Sequence, residues 1–504
     1  MGMISKIEMR HGYKKMFSPT RLRAYLVLLA LVLVAACDSD KEDGGLKFRA
    51  DTDATPHRGV FGIVNTIVDS PLISVAYRTT STFVGDKGIA QLSYAEATRF
   101  PIVSSEYNLV VSYPDPGGDA VVLLEYTEDN GNPIEVTIDD ERILVLTGTI
   151  EEPIGYIIEA VEYQNGLDVP RDGTFLVTDP EVHFTHAVPS HAEKTLDFYF
   201  TQGEVDLATL EPSVTLAYTE SSEVTSVLPG GDNRIYVTPS GDSATILYDS
   251  GEFILTTNLR ILFVASQYFG PGGNGLKIHG IDQQALSFIY EDLPIAWRVA
   301  NFIGDVSEVD VFIGDTTNGP IVSQVGSGEF SEFVVQEETT LPFLVAQTNF
   351  PDDLLFKRDL FIEPGSTVTL YVAGFESNEA NDNERAIVAF SALEETRPVT
   401  GANQLRLVHG APSGEPMDIY LLVPGQTVSD SDPVFPDVTL GSVPSVSFAP
   451  GDYDLVAIST GNLSEVFGPS RIRLKSKVNY TLLFSDAPGG GLPVDMSLLE
   501  APTN

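Results

Sequence analysis

LRLVHGAPSGEPMDIYLL, residues 405–422, decides how the rest of the chain is read. A short apolar strand ends in His409-Gly410-Ala411-Pro412, a turn follows, and a second strand opens at Met417-Asp418-Ile419-Tyr420. Apolar, β-branched and aromatic runs of this length between turn formers predict strands. Three looser copies stand upstream. The first runs from Val60 to Asn65, through a turn holding Asp69, Ser70 and Pro71, into a strand opening at Leu72. The second runs from Val182 to Ala187 and resumes at Leu196, and the third runs from Trp297 to Phe302 and resumes at Val309. A polar residue ends each first strand and another opens each second strand. The pairs are Asn65/Ser74, His186/Asp197, Asn301/Asp310 and His409/Asp418.

The downstream parts repeat as well. Each copy closes with a strongly apolar strand, a loop rich in Gly, Pro or acids, and a last strand: 142–148 with 155–163, 260–266 with 275–282, 367–374 with 385–393, and 479–484 with 494–500. Copies begin roughly 110–120 residues apart, too far for a solenoid repeat and right for whole domains. Turn formers such as Pro364-Gly365-Ser366 and Pro450-Gly451-Asp452 divide each copy, and about seven short strands in about 100 residues predict a two-sheet sandwich of immunoglobulin-like shape. The expected fold is therefore all-β: four tandem immunoglobulin-like β-sandwich domains at 57–164, 178–284, 295–394 and 403–501. Linkers are expected near 165–180, 283–294 and 394–403, giving a beaded rod.

Composition agrees with many strands. Gly (43) and Pro (32) punctuate the whole chain of 504 residues, and 43% of residues are hydrophobic, enough for an ordinary core in each domain. With 29 basic and 71 acidic residues the formal net charge is −42. Such a chain repels nucleic-acid phosphates, so no nucleic-acid partner is expected. The charge reads as a solvated surface, with a cation-loaded surface as the sharper alternative. The single cysteine, Cys37, excludes any intramolecular disulfide.

The N-terminus carries six basic residues before Ala24, then an apolar run of 13 residues to Ala36. That run is too short for a comfortable membrane span and fits a signal-peptide core. It ends in Leu33-Val34-Ala35-Ala36-Cys37, which resembles a bacterial lipobox. The resemblance implies cleavage after residue 36 and lipid attachment at Cys37; two or more acyl chains anchor stably where one is marginal. Residues 1–36 are thus the expected lipoprotein signal peptide. Residues 37–56, polar and Gly-containing, are the expected flexible tether.

The opening stretch, with Phe448-Ala449-Pro450-Gly451-Asp452-Tyr453 and Asn479-Tyr480-Thr481, resembles the signature of the bacterial domain-of-unknown-function 4397 family. Its domains pair a strand ending in His-Ala-Ser-Pro with a Val-Asp-Val-Tyr strand. The match is good in the fourth copy and fair in the second and third. The first copy departs, with Asn65 for the His and Ser74 for the Asp. The resemblance implies secreted or anchored sandwich domains in a bacterial envelope and brings no established activity.

His409 with Asp418 is the pair a catalytic reading would choose, since a carboxylate raises the basicity of an imidazole. The chain supplies its own control. Asn301 and Asn65 stand where the histidines stand, and neither can act as a general base. The role common to His409, Asp418, His186, Asp197, Asn301 and Asp310 is expected to be structural: satisfying main-chain groups where one strand turns into the next. His183 and His186 fall on opposite faces of a strand, so with His191 they form no zinc site. Trp297 is expected in a core. Gly270-Pro271-Gly272-Gly273-Asn274-Gly275 lacks the Lys-Ser/Thr of a P-loop and reads as a hairpin loop.

No metal site is assigned. Calcium is the one cofactor considered, through the acidic loops 376–384 and 429–437, with solvated loop tips as the competing reading. The chain is expected to be no enzyme but a lipid-anchored cell-envelope protein, at the outer membrane in preference to the inner, with a display, structural or recognition role. Its partners would be the membrane, through the anchor, and an envelope polysaccharide or protein. A calcium-assisted adhesin is the first alternative and an envelope glycan hydrolase the second.

Overall fold

A computed structural model describes residues 58–501 apart from the internal segments 82–85, 116–118, 138–139, 161–178, 273–274, 283–286, 289–292, 377–385, 461–464 and 487–492. The expected signal peptide, Cys37 and the expected tether lie outside the described residues. The described chain is built of strands, with four single-turn 3-10 helices between them.

The fourth copy shows the plan. One sheet runs Ser445–Phe448, Asn403–His409, Tyr480–Ser485, Asp495–Glu500; the other runs Phe435–Val438, Met417–Leu422, Gly451–Ser459, Glu465–Leu474. In chain order these are strands 4-1-7-8 and 3-2-5-6. The other three copies repeat this order, with short extra strands added in the first two. Their first strands are Arg58–Asn65, Glu181–Ala187 and Ile295–Ile303, and their seventh strands are Glu141–Gly148, Arg260–Gln267 and Thr367–Phe375. First and seventh strands pair in parallel in every copy, as with Leu405 opposite Tyr480 and Asn301 opposite Val372.

All-β tandem sandwiches are therefore what the chain forms, with eight principal strands in each copy where seven were expected. The first six pair as strands B, C, C′, E, F and G of an immunoglobulin sandwich do. The seventh occupies the place of strand A beside B, and the eighth extends the sheet beyond it. Each copy has its own core between its two sheets. In the fourth, Leu405, Leu407 and Phe484 from one sheet meet Ile419, Leu455 and Ile472 from the other. Trp297 is fully buried in the core of the third, edge-on to Phe343.

The sheet holding the first and seventh strands, here called the inner sheet, is covered on both faces. One face is the sandwich's own core. The other face of the first copy packs on the corresponding face of the second, burying Val64, Ile143, Val145 and Ile158 against Ala187, Leu262, Val264 and Ile281. The third and fourth copies pack the same way through Ala300, Phe302, Tyr371 and Ala373 against Val408 and Leu483. Each Val, Leu, Ile or Phe among them contributes about 1.5–3 kcal/mol relative to exposure. The product is two four-layered stacks of sheets. Double coverage also explains why seventh strands such as RILFVASQ are apolar without alternation.

The expected beaded rod is corrected by these contacts. Residues 56–504 form one compact unit, and the two stacks touch at both ends of the chain order. The second and third copies meet where the Tyr268 hydroxyl donates to the Gly365 carbonyl at 3.1 Å. The first and fourth meet around Asp69. Residues 394–403, expected as a linker, reach both the second copy and the first. Thr396 donates to the Phe269 carbonyl, Arg397 to the carbonyls of Ser70 and Val68, and Thr400 to the Asp69 carboxylate at 2.6 Å.

Candidate functional site

The polar residue ending each first strand is buried in every copy: Asn65, His186, Asn301 and His409 are all fully inaccessible. Three of them do the same work two residues on. Asn65 accepts from the Ile67 amide at 3.1 Å, Asn301 from the Ile303 amide at 3.1 Å, and His186, through Nδ1, from the Val188 amide at 3.3 Å. The asparagines also donate across the sandwich. Asn65 reaches the Ser93 carbonyl at 3.0 Å and Asn301 the Val325 carbonyl at 3.1 Å. His409 keeps the position and the burial, but neither ring nitrogen completes a hydrogen bond. Its ring fills the turn so closely that a Cβ on Gly414 would sit 3.0 Å from Cε1. Burial lowers the pKa of His409, and pushes that of His186 down to about 4.

The aspartates of the second strands serve a different turn. Asp310 Oδ1 accepts from the Gln324 amide at 2.8 Å and the Thr348 hydroxyl at 2.9 Å. Asp418 Oδ1 accepts from the Asp437 amide at 2.7 Å and the Thr460 hydroxyl at 3.1 Å. Gln324 and Asp437 both have positive φ, 56° and 47°, and both sit where the edge strand slips register against the second strand. The carboxylate thus braces a bulge that an L-residue adopts only at some cost. Asp197 accepts from the Thr215 hydroxyl and the Gly241 amide. No hydrogen bond joins the two members of His186/Asp197, Asn301/Asp310 or His409/Asp418; each aspartate is held instead by a main-chain amide and a threonine hydroxyl.

His183 lies on the face of its strand opposite His186. It is buried between the first two sandwiches, where desolvation, with Arg99 and Arg260 nearby, lowers its pKa to about 4. His279, also buried there, is held down at about 3 by burial and Lys277. His191 contacts Ser190 through Nδ1. Among the described residues, no group of three or more His, Cys, Asp or Glu is placed to hold a metal ion. In the loop 429–437, the Asp430 carboxylate accepts from Thr427. The loop 376–384 lies outside the described residues except for Glu376.

Two charged networks went unread in the sequence. At the junction of the third and fourth sandwiches Glu394, almost wholly buried, accepts from Arg298, Arg406 and Thr369. At the junction of the first and fourth, Asp69 accepts from the Ile150 amide at 2.8 Å and from Thr400, and stands 3.0 Å from Lys477 Nζ. Burial raises the pKa of Asp69, but those three partners outweigh it and hold the carboxyl below its usual range. Neither network has a local signature, because its partners stand from 12 to 96 positions away around Glu394 and 81 or more away around Asp69, and only packing brings them together.

No protein-family model and no curated protein matches the chain. Among solved structures, the Bacillus anthracis TIE protein is similar at 8% identity over 92% of this chain and 78% of its own, with a TM-score of 0.14, too low to bear on fold or function.

Proposed function

We propose that the chain is a non-catalytic, lipid-anchored cell-envelope protein of the kind that the domain-of-unknown-function 4397 resemblance implies, with a display, structural or recognition role. The observation that carries the reading is Leu33-Val34-Ala35-Ala36-Cys37 at the end of an apolar run, around the chain's one cysteine. The non-catalytic half is supported by what the polar repeats do. A general base must reach a substrate proton, whereas His186, Asn301 and the aspartates spend their acceptors on main-chain amides. A net charge of −42 disfavours nucleic acid and leaves an envelope polysaccharide or protein as the partner besides the membrane.

The test is metabolic labelling with an alkyne-tagged palmitate in the native cells. The wild-type chain takes the label and sediments with membranes, and Cys37→Ser does neither. An unlabelled wild-type chain, or a labelled Cys37→Ser chain, overturns the reading.

A further inference from the structure

The two contacts between inner sheets use the same rows of the fold with different chemistry. Three residues before the polar end of each first strand stand Gly62, His183, Arg298 and Arg406. Each lies an even number of residues from Val64, Ala187, Ala300 or Val408, so all four positions are on the face that meets the neighbouring sandwich. In the contact between third and fourth sandwiches both arginines bind the buried Glu394 carboxylate. A guanidinium keeps its charge throughout the working pH range. In the contact between first and second sandwiches the arginine's place is held by the buried His183, an imidazole that titrates.

A second histidine joins it. His279 stands two residues before Ile281 and pairs across the sheet with Val264, both of them contact residues. Neither of its ring nitrogens completes a hydrogen bond among the described residues. The third copy has Phe390 in the matching place, beside Tyr371. The charged neighbours of the two rings come from both sandwiches. From the first, Arg99 pairs with Glu141 and donates to the Asp282 carbonyl at 2.7 Å. From the second, Arg260 pairs with Glu181 at 2.6 Å, and Lys277 stands two residues from His279. The Tyr156 hydroxyl of the first sandwich meets that of Thr185 at 2.7 Å. Glu141 and Glu181 are thus already held by guanidinium groups. A proton on either imidazole puts new positive charge on a desolvated face beside Arg99, Arg260 and Lys277.

We propose that this contact is an acid-operated latch, in which protonation of His183 and His279 parts the inner sheets of the first and second sandwiches while the arginine-built contact between third and fourth stays closed. Once the sheets part, both rings reach water and titrate near the ordinary value of about 6.5. Each histidine then raises the parted population by about tenfold per pH unit below about 6.5, until the value it has in the closed contact is reached. At pH 5 a carboxylate held by two arginines is still ionised, so Glu394 keeps its bonds. The latch goes beyond the envelope role proposed above and does not depend on it.

The test is thiol labelling with 4,4′-dithiodipyridine, which reacts in acid as well as at neutral pH. The full chain carries Cys37→Ser, so that a reporter cysteine is its one thiol. Val145→Cys reports on the first–second contact and Ala373→Cys on the third–fourth contact; both positions are fully buried. Rates are referred to free cysteine at each pH. Between pH 7.5 and pH 5 the Val145→Cys reporter gains at least about tenfold in relative rate, the Ala373→Cys reporter stays protected, and far-ultraviolet circular dichroism is unchanged. His183→Leu with His279→Phe removes the gain, and His186→Asn, a change in the second sandwich's own core, leaves it. The contrast between the two reporters decides the matter even with every histidine in place. A Val145→Cys reporter still protected at pH 5, equal exposure of both reporters, exposure accompanied by loss of strand signal, or a gain that survives the double histidine replacement overturns the proposal.

Discussion

The buried ends of the first strands carry two asparagines and two histidines, and the shared acceptor role makes a substitution within the chain's own repertoire informative. His186→Asn keeps an acceptor for the Val188 amide and is expected to cost under about 1 kcal/mol, whereas His186→Leu strands that amide and costs about 1–3 kcal/mol in urea unfolding. The histidines also set an acid limit. His183 and His186 titrate near 4 and His279 near 3 in the folded chain, against about 6.5 unfolded. The unfolded chain therefore binds more protons below pH 6.5. Stability is fully present above that pH and falls as pH drops toward the folded values. Asp69 adds to the loss lower down, because its folded pKa is depressed. Melting temperature measured from pH 7.5 to 4 is expected to fall steadily below 6.5, and His279→Leu to flatten part of that fall. A flat profile would contradict the burial of all three rings. The repeated polar positions were legible because four copies could be compared. That Asp310 and Asp418 brace edge-strand bulges was not, because the register of a third strand against a second is set by packing across the sheet.

At the level of strands and turns, alternation and turn formers carried most of the fold. Outer-sheet strands such as Ile73–Thr79 alternate buried with partly buried positions because one face meets water. Inner strands such as Thr367–Phe375 are buried along nearly their whole length. Their unbroken apolar runs were the available signal that a second layer covers them, and such a run does not say what the second layer is. Two element-scale outcomes follow. Asp310→Ala removes the acceptor for Gln324 and Thr348 and is expected to cost about 1–3 kcal/mol, with exchange protection lost at Gln324 before the rest of the sandwich. Gly148, at φ +86° as the last residue of the seventh strand of the first copy, has the Glu152 carbonyl 2.3 Å from where a Cβ would stand. Gly148→Ala is expected to cost more than about 1 kcal/mol, read as an earlier unfolding midpoint.

Over the whole molecule, the contact between first and fourth sandwiches rests on few residues. Arg397 binds the carbonyls of Val68 and Ser70 and lies 5.1 Å from the Tyr94 centroid. Arg397→Ala is expected to cost about 1.5–3 kcal/mol, as removal of a half-buried charged donor does, and to raise amide exchange at residues 68–70 while both sheet stacks keep their protection. Residues 394–403 read as a linker because nothing in EETRPVTGAN announces partners more than 300 positions away. The pairing of inner sheets also dictates how the chain can be dissected. A fragment ending between the first and second sandwiches, or between the third and fourth, would present Val145 or Tyr371 and their neighbours to water, and should aggregate or dimerise through that face. A cut near residue 285 leaves each half with its apolar faces matched, so soluble production should succeed in halves and fail in quarters.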